Sequence, residues 1–583
     1  MTAFAPTAVH ARVRASRIAI ASDDALAIGA LTALFAALLA LTWGTWGDVG
    51  GDTGYDLVAG AHVAHGQLPY IDFIYHYGPL APFVLGFAAL VGGSSLAPAI
   101  AVGLGLTIAI AALTYALGRM VAGPLGGFLA AAIVVSVALA PTNFSYVLPH
   151  TEAATLGLAL LLGMLVALNR SSLATAGVCA GLAGLTRPEL EGAVLVALAG
   201  WLVLRARSGR PLASATARLL APALLIPAAV YGAFLAVVPA HRLVLENLYP
   251  LHGLRSTGDA VMRLQAPLTA ASFGSLGLKL VAYAAIVAVL VLLARGLDLP
   301  LRPAALVAAG ATLGIVAAVA RPGSLVQGLQ LAYGWIPAGA AIAVVLLLAL
   351  RRSSDSLLPA ALALAALAAV TYAAFYLDAS RAQPAVYAAP LAALFLVRLH
   401  LVELPRSRSA LALGVVWLAF LAAAGTGLAV RAAQAKPATV SDVRGTLHAS
   451  ARDAAVYREA LHWIDAAAPV GKPVFLAPQL TALYALSGRT DPLPQLSLLP
   501  GALPTPAAER AAIARLSAAD IKLAVTDRRS YAQYGQTFFG GSYDRLVADW
   551  IRTHYRHAAT LGGLSGPVLD VWVKSPEDRS EEQ

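Results

Sequence analysis

The sequence predicts a polytopic α-helical membrane protein with a small α/β domain at its C-terminus. Only 12% of the 583 residues are charged, against roughly 25% in a typical soluble protein. Apolar runs of about 20 residues, long enough to cross a bilayer, alternate with short polar breaks. After residue 430 the charge density rises and the apolar runs shorten. We therefore expect a cytoplasmic N-terminus (1–24), a membrane domain (25–430) and an extracytoplasmic domain (431–583).

Thirteen apolar runs predict membrane-spanning helices. No small-residue cleavage site follows the first run, so we expect a retained helix rather than a signal peptide. A further run, 79–94, is too short to cross comfortably, and segments of this length more often lie at the interface. The predicted spans are 25–46, 97–118, 124–141, 152–168, 172–186, 190–205, 216–238, 276–294, 303–320, 331–350, 357–377, 384–399 and 410–430.

The arginines support placing 79–94 on the surface. If this run does not cross, Arg119, Arg170 and Arg205 fall on the cytoplasmic side with most other loop arginines, as the positive-inside bias requires. If it crossed, most of them would face outward. The odd number of spans then places the loop 47–78 and residues 431–583 on the same outer face.

Composition also limits the partners. The formal net charge is +10, which would suit nucleic acid, but the basic residues are scattered over short loops. We therefore expect a membrane partner and no nucleic acid. The single cysteine, Cys179, excludes an intrachain disulfide. Abundant Ala and a preference for Arg over Lys hint at a GC-rich bacterial genome, and hence at a bacterial plasma membrane.

The C-terminal segment reads as alternating helices and strands. "ARDAAVYREALHWIDAA", "AAERAAIARLSAAD" and "SYDRLVADWIRTHY" predict helices, and "KPVFLAP", "IKLAVTD" and "VLDVWVK" predict strands. The segment contains no phosphate loop, metal-spaced cluster or nucleophile motif. We expect an accessory domain without chemistry of its own.

The first outer loop gathers acidic residues. Between Gly47 and Gly78 there are four aspartates and three histidines but no Lys or Arg. Asp52 precedes a helical pattern and is suited to capping it, while Asp72 follows Pro69 in a turn-like stretch. Taken as a group, carboxylates at the bilayer edge also suit a reaction there, so both interpretations stay open.

Three stretches carry a family resemblance. "DTGYDLVAGAHVAHGQLPYIDFIYHYGPL" resembles the first outer loop of GT-C fold membrane glycosyltransferases, most closely the bacterial relatives of protein O-mannosyltransferases and aminoarabinose transferases. "PHTEAATLGLALLLGM" resembles their second outer loop, and "AGLAGLTRPELEGAVL" their Gly-rich helix ending in Arg/Lys-Pro-Glu. The matching positions are Asp52, Gly66, Pro69-Tyr70-Ile71-Asp72-Phe73, Gly78-Pro79, Glu152 and Arg187-Pro188-Glu189. The resemblance in sequence covers about residues 20–210. The remainder of the chain resembles the family by architecture only.

The resemblance implies transfer of a sugar from a polyprenyl-phosphate donor to an acceptor hydroxyl of a glycan, lipid or protein, with inversion. The attacking oxygen must lose a proton, so the reaction needs a general base. The catalytic candidates are Asp52, Asp56 and Glu152. Many members have Asp-Glu where this chain has Asp52-Thr53. This departure leaves the base open between Asp52 and Asp56 and weakens any metal assignment, so we expect no certain cofactor and leave a divalent metal open.

The leaving lipid phosphate needs cations, and Arg suits that role. The predicted topology places Arg187, Arg242 and Arg255 on the outer side, against the positive-inside trend, together with Arg263, Lys279, Arg321 and Arg381. Arg187 is favoured because it ends an apolar helix and matches the family position. For the sugar or acceptor, the candidates are Asp72, Tyr75, His76 and Tyr77, although these aromatic residues also suit an interfacial belt.

A transporter or flippase without chemistry is the main alternative. Gly-rich and broken helices occur in transporters too. A transporter should, however, carry ionisable residues near the midplane of several spans, and the predicted spans are nearly free of them. Charges at the outer edge favour an interfacial enzyme. A scaffold that keeps the fold and has lost catalysis is a third interpretation.

Overall fold

The computed structural model describes most of the chain. The described residues are 7–141, 145–209, 213–244, 302–323, 359–364, 387–405, 407–531, 536–563 and 566–574, with isolated residues elsewhere, and side chains from residue 23 onward. The predicted spans 276–294, 331–350 and 357–377 lie wholly or mostly outside these ranges. Arg255, Arg263, Lys279 and Arg381 lie outside them as well.

The membrane part of the described chain is helical. Its helices are α1 (Thr7–Thr42), α2 (Thr53–Ala64), α3 (Leu80–Gly92), α4 (Leu96–Ala138), α5 (Glu152–Asn169), α6 (Leu173–Ala183), α7 (Pro188–Arg207), α8 (Ala213–Leu235), α9 (Pro303–Ala320), α10 (Ala389–Arg398) and α11 (Arg408–Gln434). Six are long and apolar enough to cross a membrane: Asp23–Thr42 of α1, and α4, α5, α8, α9 and α11. Six such helices in the described residues are what a polytopic membrane protein requires, and the count of thirteen stays a prediction because several predicted spans lie outside those residues.

The predicted spans 97–118 and 124–141 form a hairpin within α4. The backbone leaves helical geometry at Ala122 and Gly123, and Pro124 follows. On a straight helix Tyr115 and Gly127 would lie ~18 Å apart. Instead, a Cβ built on Gly127 would lie 2.8 Å from the carbonyl oxygen of Tyr115, so the two arms pack against each other.

One predicted span is shorter in the structure. The run 172–186 yields α6, with 11 residues, which covers roughly 17 Å against a hydrocarbon core of about 30 Å. In the described part of the run 384–399, α10 has 10 residues and continues directly into a π-helical turn at Leu399–Glu403. The Gly-rich face of α6 serves close packing, since a Cβ on Gly177 or Gly181 would meet the backbone of α8.

The run 79–94 forms a separate short helix. Helix α3 has 13 residues and ends at Gly93, whose φ is +87°. Its Phe87, Leu90 and Val91 side chains are largely exposed. The helix predicted there is present and is too short to be a comfortable span. Its placement on the outer surface stays a prediction.

The C-terminal part contains a small sheet with helices around it. A hairpin of β1 (Ala438–Asp442) and β2 (Gly445–Ala449) comes first. A four-stranded sheet follows in the order β3-β4-β6-β5, with one parallel pair, β3 with β4. The elements are α12 (Ala451–Ala467), β3 (Phe475–Ala477), α13 (Thr481–Ser487), α14 (Pro506–Ala518), β4 (Leu523–Asp527), α15 (Arg545–His554), β5 (Tyr555–Gly562) and β6 (Val568–Lys574).

All three predicted helices and all three predicted strands of this part are confirmed. The sequence reading missed the β1–β2 hairpin, α13 and β5. Strand β5 starts at Tyr555, directly after the last residue of α15. With no intervening Gly or Pro to mark the change, the pattern read as the end of a helix.

The acidic loop and the C-terminal domain share one hydrophobic core. Trp46, Tyr55 and Phe73 of the loop cluster with Tyr457 and Leu483 of the domain. A Cβ on Gly54 would collide with the backbone of Thr481 and Ala482, so α2 lies directly on α13. The docked domain therefore covers the loop that carries the candidate site residues.

Candidate functional site

Asp52 lies where three parts of the chain meet. It occupies the N-cap position of α2, but its side chain makes no capping hydrogen bond. One carboxylate oxygen lies 3.1 Å from Nδ1 of His150, and the other accepts a hydrogen bond from Gln479 of the C-terminal domain. The side chain is 30% exposed. The structure thus uses this aspartate for tertiary contacts rather than as a helix cap.

The surroundings of Asp52 favour its ionised form. Burial alone would raise its pKa, but His150, Gln479 and Arg529 together outweigh burial and lower the pKa. At neutral pH the group is therefore a carboxylate with some solvent access. Such a group can accept a proton from a ligand placed beside it.

Asp56, one turn along α2, has the opposite environment. It is 4% exposed, and burial raises its pKa. One oxygen accepts a hydrogen bond from the Tyr75 hydroxyl at 2.7 Å, and the other from the backbone N–H of Glu152. With both oxygens engaged, Asp56 ties α2 to the rest of the loop and to the start of α5.

Glu152 is the first residue of α5 and is 3% exposed. The Thr155 hydroxyl donates to its side chain at 3.3 Å, and its backbone N–H donates to Asp56. The three predicted catalytic residues thus form one cluster. Within it, Asp52 is the carboxylate that solvent reaches.

Arg187 lies against the end of the acidic loop, at Tyr77. It precedes α7, and its guanidinium carbon lies 4.7 Å from the centre of the Tyr77 ring. It also pairs with Glu189 of the same helix, and its side chain is 12% exposed. The backbone N–H of Gly78 donates to the carbonyl of Thr186, which fixes Tyr77 against Arg187. A largely buried cation is therefore fixed beside the acidic loop.

The predicted aromatic wall is packed inside the loop. Tyr75 is fully buried and stacks on Tyr55, with ring centroids 5.6 Å apart. His76 also stacks on Tyr55, with ring centroids 6.2 Å apart, and Tyr77 is half-buried. Tyr75 thus supports Asp56 from within, and His76 and Tyr77 are the members with exposed surface.

Two of the remaining predicted residues, Asp72 and Arg242, lie in or against the turn after α2. Asp72 is exposed and accepts a hydrogen bond from the backbone N–H of Leu68 at 2.7 Å, as expected of a turn residue. Arg242 is half-buried and donates to the Ile71 carbonyl at 3.4 Å. Arg255, the third predicted phosphate ligand, lies outside the described residues.

The structure adds residues that the sequence did not single out. Gln479 contacts Asp52 directly, and Arg529 acts on its charge. His150, whose role beside Glu152 is ambiguous in the sequence, contacts Asp52 as well. Tyr387 stacks on Tyr146 with ring centroids 6.0 Å apart. No local signal marks Gln479 or Arg529, because their roles depend on how the C-terminal domain docks.

In the part of the chain with described side chains, no group of three or more His, Cys, Asp or Glu residues is arranged to hold a metal ion. His62 and His65, spaced three apart, instead bond to Gln67 and to the carbonyl of Ala61.

Comparisons with known proteins do not assign a family or a function to the chain. No protein-family model, curated protein or solved structure matches the chain.

Proposed function

We propose that this chain is an integral membrane glycosyltransferase that moves a sugar from a polyprenyl-phosphate donor to an acceptor hydroxyl. The observation that carries the proposal is Asp52. Its carboxylate is ionised and partly exposed, does not cap its helix and is held between His150 and Gln479. We place the reaction at the outer face of a bacterial plasma membrane, with the C-terminal domain outside the cell.

The proposed step is a direct displacement. The acceptor oxygen forms a bond to the anomeric carbon, and its proton passes to Asp52. The bond from the anomeric carbon to the phosphate oxygen breaks on the opposite face, and its electron pair stays on the phosphate. Inversion follows from this geometry. A positioned general base typically contributes about 10²–10⁴-fold in rate.

Arg187 is the proposed cation for the leaving phosphate. Guanidinium stays charged near a low-dielectric region and can form two parallel hydrogen bonds to phosphate. Glu189 and Tyr77 hold it beside the loop. Arg242, which contacts the turn at Ile71, is the second described candidate.

The contrast between Asp52 and Asp56 supports Asp52 as the base. Asp56 is buried, and each of its oxygens already accepts a hydrogen bond from the protein. An acceptor could reach Asp56 only after the loop rearranged. Asp52 needs no such rearrangement because part of its side chain is exposed.

The test is turnover of radiolabelled polyprenyl-phosphate sugars by membranes containing the chain. We expect label to leave the lipid, and Asp52→Asn to lower the rate by about 10²–10⁴-fold while the protein still inserts and binds donor. Asp549→Asn is the matched control, since it changes an exposed aspartate of α15 that is not among the site candidates. A thermal melt of each purified variant checks folding. Normal turnover by a folded Asp52→Asn protein would exclude Asp52 as the base, and no loss of label from the lipid with the unaltered chain would favour the transporter.

A further inference from the structure

A second cavity lies away from the candidate site. It is a groove of about 820 Å³ between α2 and α3 on one side and the C-terminal domain on the other. Asp52, Asp56, Glu152 and Arg187 do not line it. Its role must therefore be argued from its own walls.

One side of the groove is apolar and the opposite side is polar. Leu85, Leu90 and Leu96, from α3 and the start of α4, give it an apolar side. Helix α4 is one of the helices long enough to cross a membrane, so this side lies where α4 would enter the bilayer. Arg444, Thr490 and Asp491 of the C-terminal domain give the opposite, polar side. Burial raises the pKa of Asp491 to about 8, so its carboxyl group is largely neutral at pH 7.

The apolar side continues onto exposed surface. Leu90 is 66% exposed, and its neighbours Phe87 and Val91 on α3 are 68% and 75% exposed. Exposed apolar side chains on a short helix next to a spanning helix are typical of contact with the edge of a bilayer. The groove thus opens from a surface that suits lipid chains.

Arg444 supplies an unused positive charge at the polar side. Its backbone is fixed on both sides, because its N–H donates to Leu486 and its carbonyl accepts from the N–H of Leu96 at 2.7 Å. Within the described part of the chain, no hydrogen bond or ion pair engages its guanidinium. Arg489, which also lines the groove, is instead occupied by Asp442 and Asp465, at 3.7 Å and 2.8 Å.

The room for this guanidinium depends on a glycine. Gly488 has a φ of +67°, and a Cβ there would lie 2.6 Å from Nε of Arg444. The turn after α13 therefore leaves space that a larger residue would fill. The arginine has five N–H donors in a planar fork, which matches phosphate geometry.

We propose that this groove binds a bilayer lipid with an anionic phosphate headgroup. The headgroup lies at Arg444, and an acyl chain runs along α3 and the start of α4. A soluble anion would leave the apolar side in water, and a neutral lipid would leave the guanidinium unpaired. Since the groove has walls from the loop helices and from the C-terminal domain, a bound lipid stabilises the docked domain by linkage.

The experiment is thermal unfolding of the full chain, purified in detergent, with three added probes: phosphatidylglycerol, phosphatidylcholine and inorganic phosphate. We expect phosphatidylglycerol to raise the midpoint and the other two to have little effect. Arg444→Gln should weaken phosphatidylglycerol binding about five- to tenfold, as expected for one cation at a lipid surface. Arg556→Gln, at an exposed position on β5, is the matched control and should bind as the unaltered chain does.

A second variant and a second readout keep the test decisive if Arg444→Gln unfolds. Leu90→Ser changes an exposed side chain of the apolar wall and should also weaken phosphatidylglycerol binding, followed by native mass spectrometry. Equal stabilisation by both lipids, or by inorganic phosphate alone, would overturn the proposal. Unchanged phosphatidylglycerol binding by a folded Arg444→Gln protein would also overturn the proposal. If Arg444→Gln does not fold, unchanged phosphatidylglycerol binding by Leu90→Ser would overturn it instead.

Discussion

Asp52 and Asp56 show how far a residue's neighbours decide its chemistry. They have the same side chain and lie one helical turn apart, yet the pKa of Asp52 is lowered and that of Asp56 is raised. Burial is the largest influence on both. At Asp52 a histidine, a glutamine and an arginine outweigh it, whereas at Asp56 the hydrogen bonds from Tyr75 and Glu152 do not.

At the residue scale, Arg187 is expected to matter for use of the donor. Arg187→Ala should lower turnover because it removes about 2–4 kcal/mol of transition-state stabilisation, the size of a positioned charge-assisted contact. Arg187→Lys should retain part of the activity because it keeps the charge and loses the planar fork. Steady-state kinetics with varied lipid-phosphate sugar measures both.

Arg207→Ala is the control for Arg187, since it removes an exposed arginine from the other end of α7. It should leave turnover unchanged. A well-inserted and fully active Arg187→Ala protein would move the phosphate role to residues 241–263.

Asp544 should make stability depend on pH. It is 4% exposed, and burial raises its pKa to about 8, against about 3.9 for an unfolded aspartate. Between pH ~4 and pH 8 the Asp544 carboxyl is protonated in the folded chain and ionised in the unfolded chain. Its contribution to the free energy of unfolding is therefore greatest below pH ~4 and is lost as the pH rises toward 8. The thermal midpoint of the full chain should therefore fall between pH 5 and pH 8, and fall less in Asp544→Asn.

The control for Asp544 is Asp549→Asn, which changes an exposed aspartate of the same helix. Its midpoint should follow that of the unaltered chain at each pH. The same pH dependence in Asp544→Asn as in the unaltered chain would show that Asp544 is ionised in the folded protein.

At the scale of elements, the C-terminal domain is part of the candidate site. The sequence predicts an accessory domain without chemistry, but α13 lies on α2, and Gln479, two residues before α13, reaches Asp52. The N–H of Ile74 also donates to the carbonyl of Pro494 at 2.8 Å. Docking of this domain therefore sets the environment of the proposed base.

Gln479→Leu should shift the pH dependence of the proposed reaction. Its side-chain N–H stabilises the ionised form of Asp52, so its removal should raise the pKa of that carboxylate. The acidic limb of the pH–rate profile should then move to higher pH. A merely structural change would lower the rate at every pH without moving the limb.

Gln495→Leu is the matched control for Gln479. Gln495 belongs to the same docked surface, where it pairs with Ile74, and it does not contact Asp52. The acidic limb of the pH–rate profile of Gln495→Leu should stay at the pH found for the unaltered chain. If Gln479→Leu also leaves the limb unchanged in an active protein, the titrating base is not Asp52.

At the scale of the whole molecule, the loop and the C-terminal domain must lie on one side of the membrane. Their shared core and the contact of Gln479 with Asp52 require it. Which side they face is set by the number of spans before them and by the loop arginines. The hairpin in α4 matters here, because it returns the chain to the side on which α4 began.

The predicted outer location can be tested with single cysteines in a Cys179→Ala background. Gln67→Cys in the loop and Arg510→Cys in the domain are both at exposed positions. Both should react with an impermeant thiol reagent in intact cells. If neither cysteine reacts until the cells are lysed, the loop and the domain face the cytoplasm and the predicted topology is reversed. If just one of them reacts in intact cells, the docked structure is contradicted.

The sequence by itself determined the membrane class, the short helix α3 and the main elements of the C-terminal domain. These depend on hydrophobic length and period, which are local properties of the chain. It also located Asp52, Asp56, Glu152 and Arg187. The tertiary structure decided which carboxylate is exposed, that 97–118 and 124–141 fold back as a hairpin, and that Gln479 reaches Asp52. The reason is physical: burial, hydrogen-bond partners and the pKa of a side chain depend on residues hundreds of positions away, which no local pattern encodes.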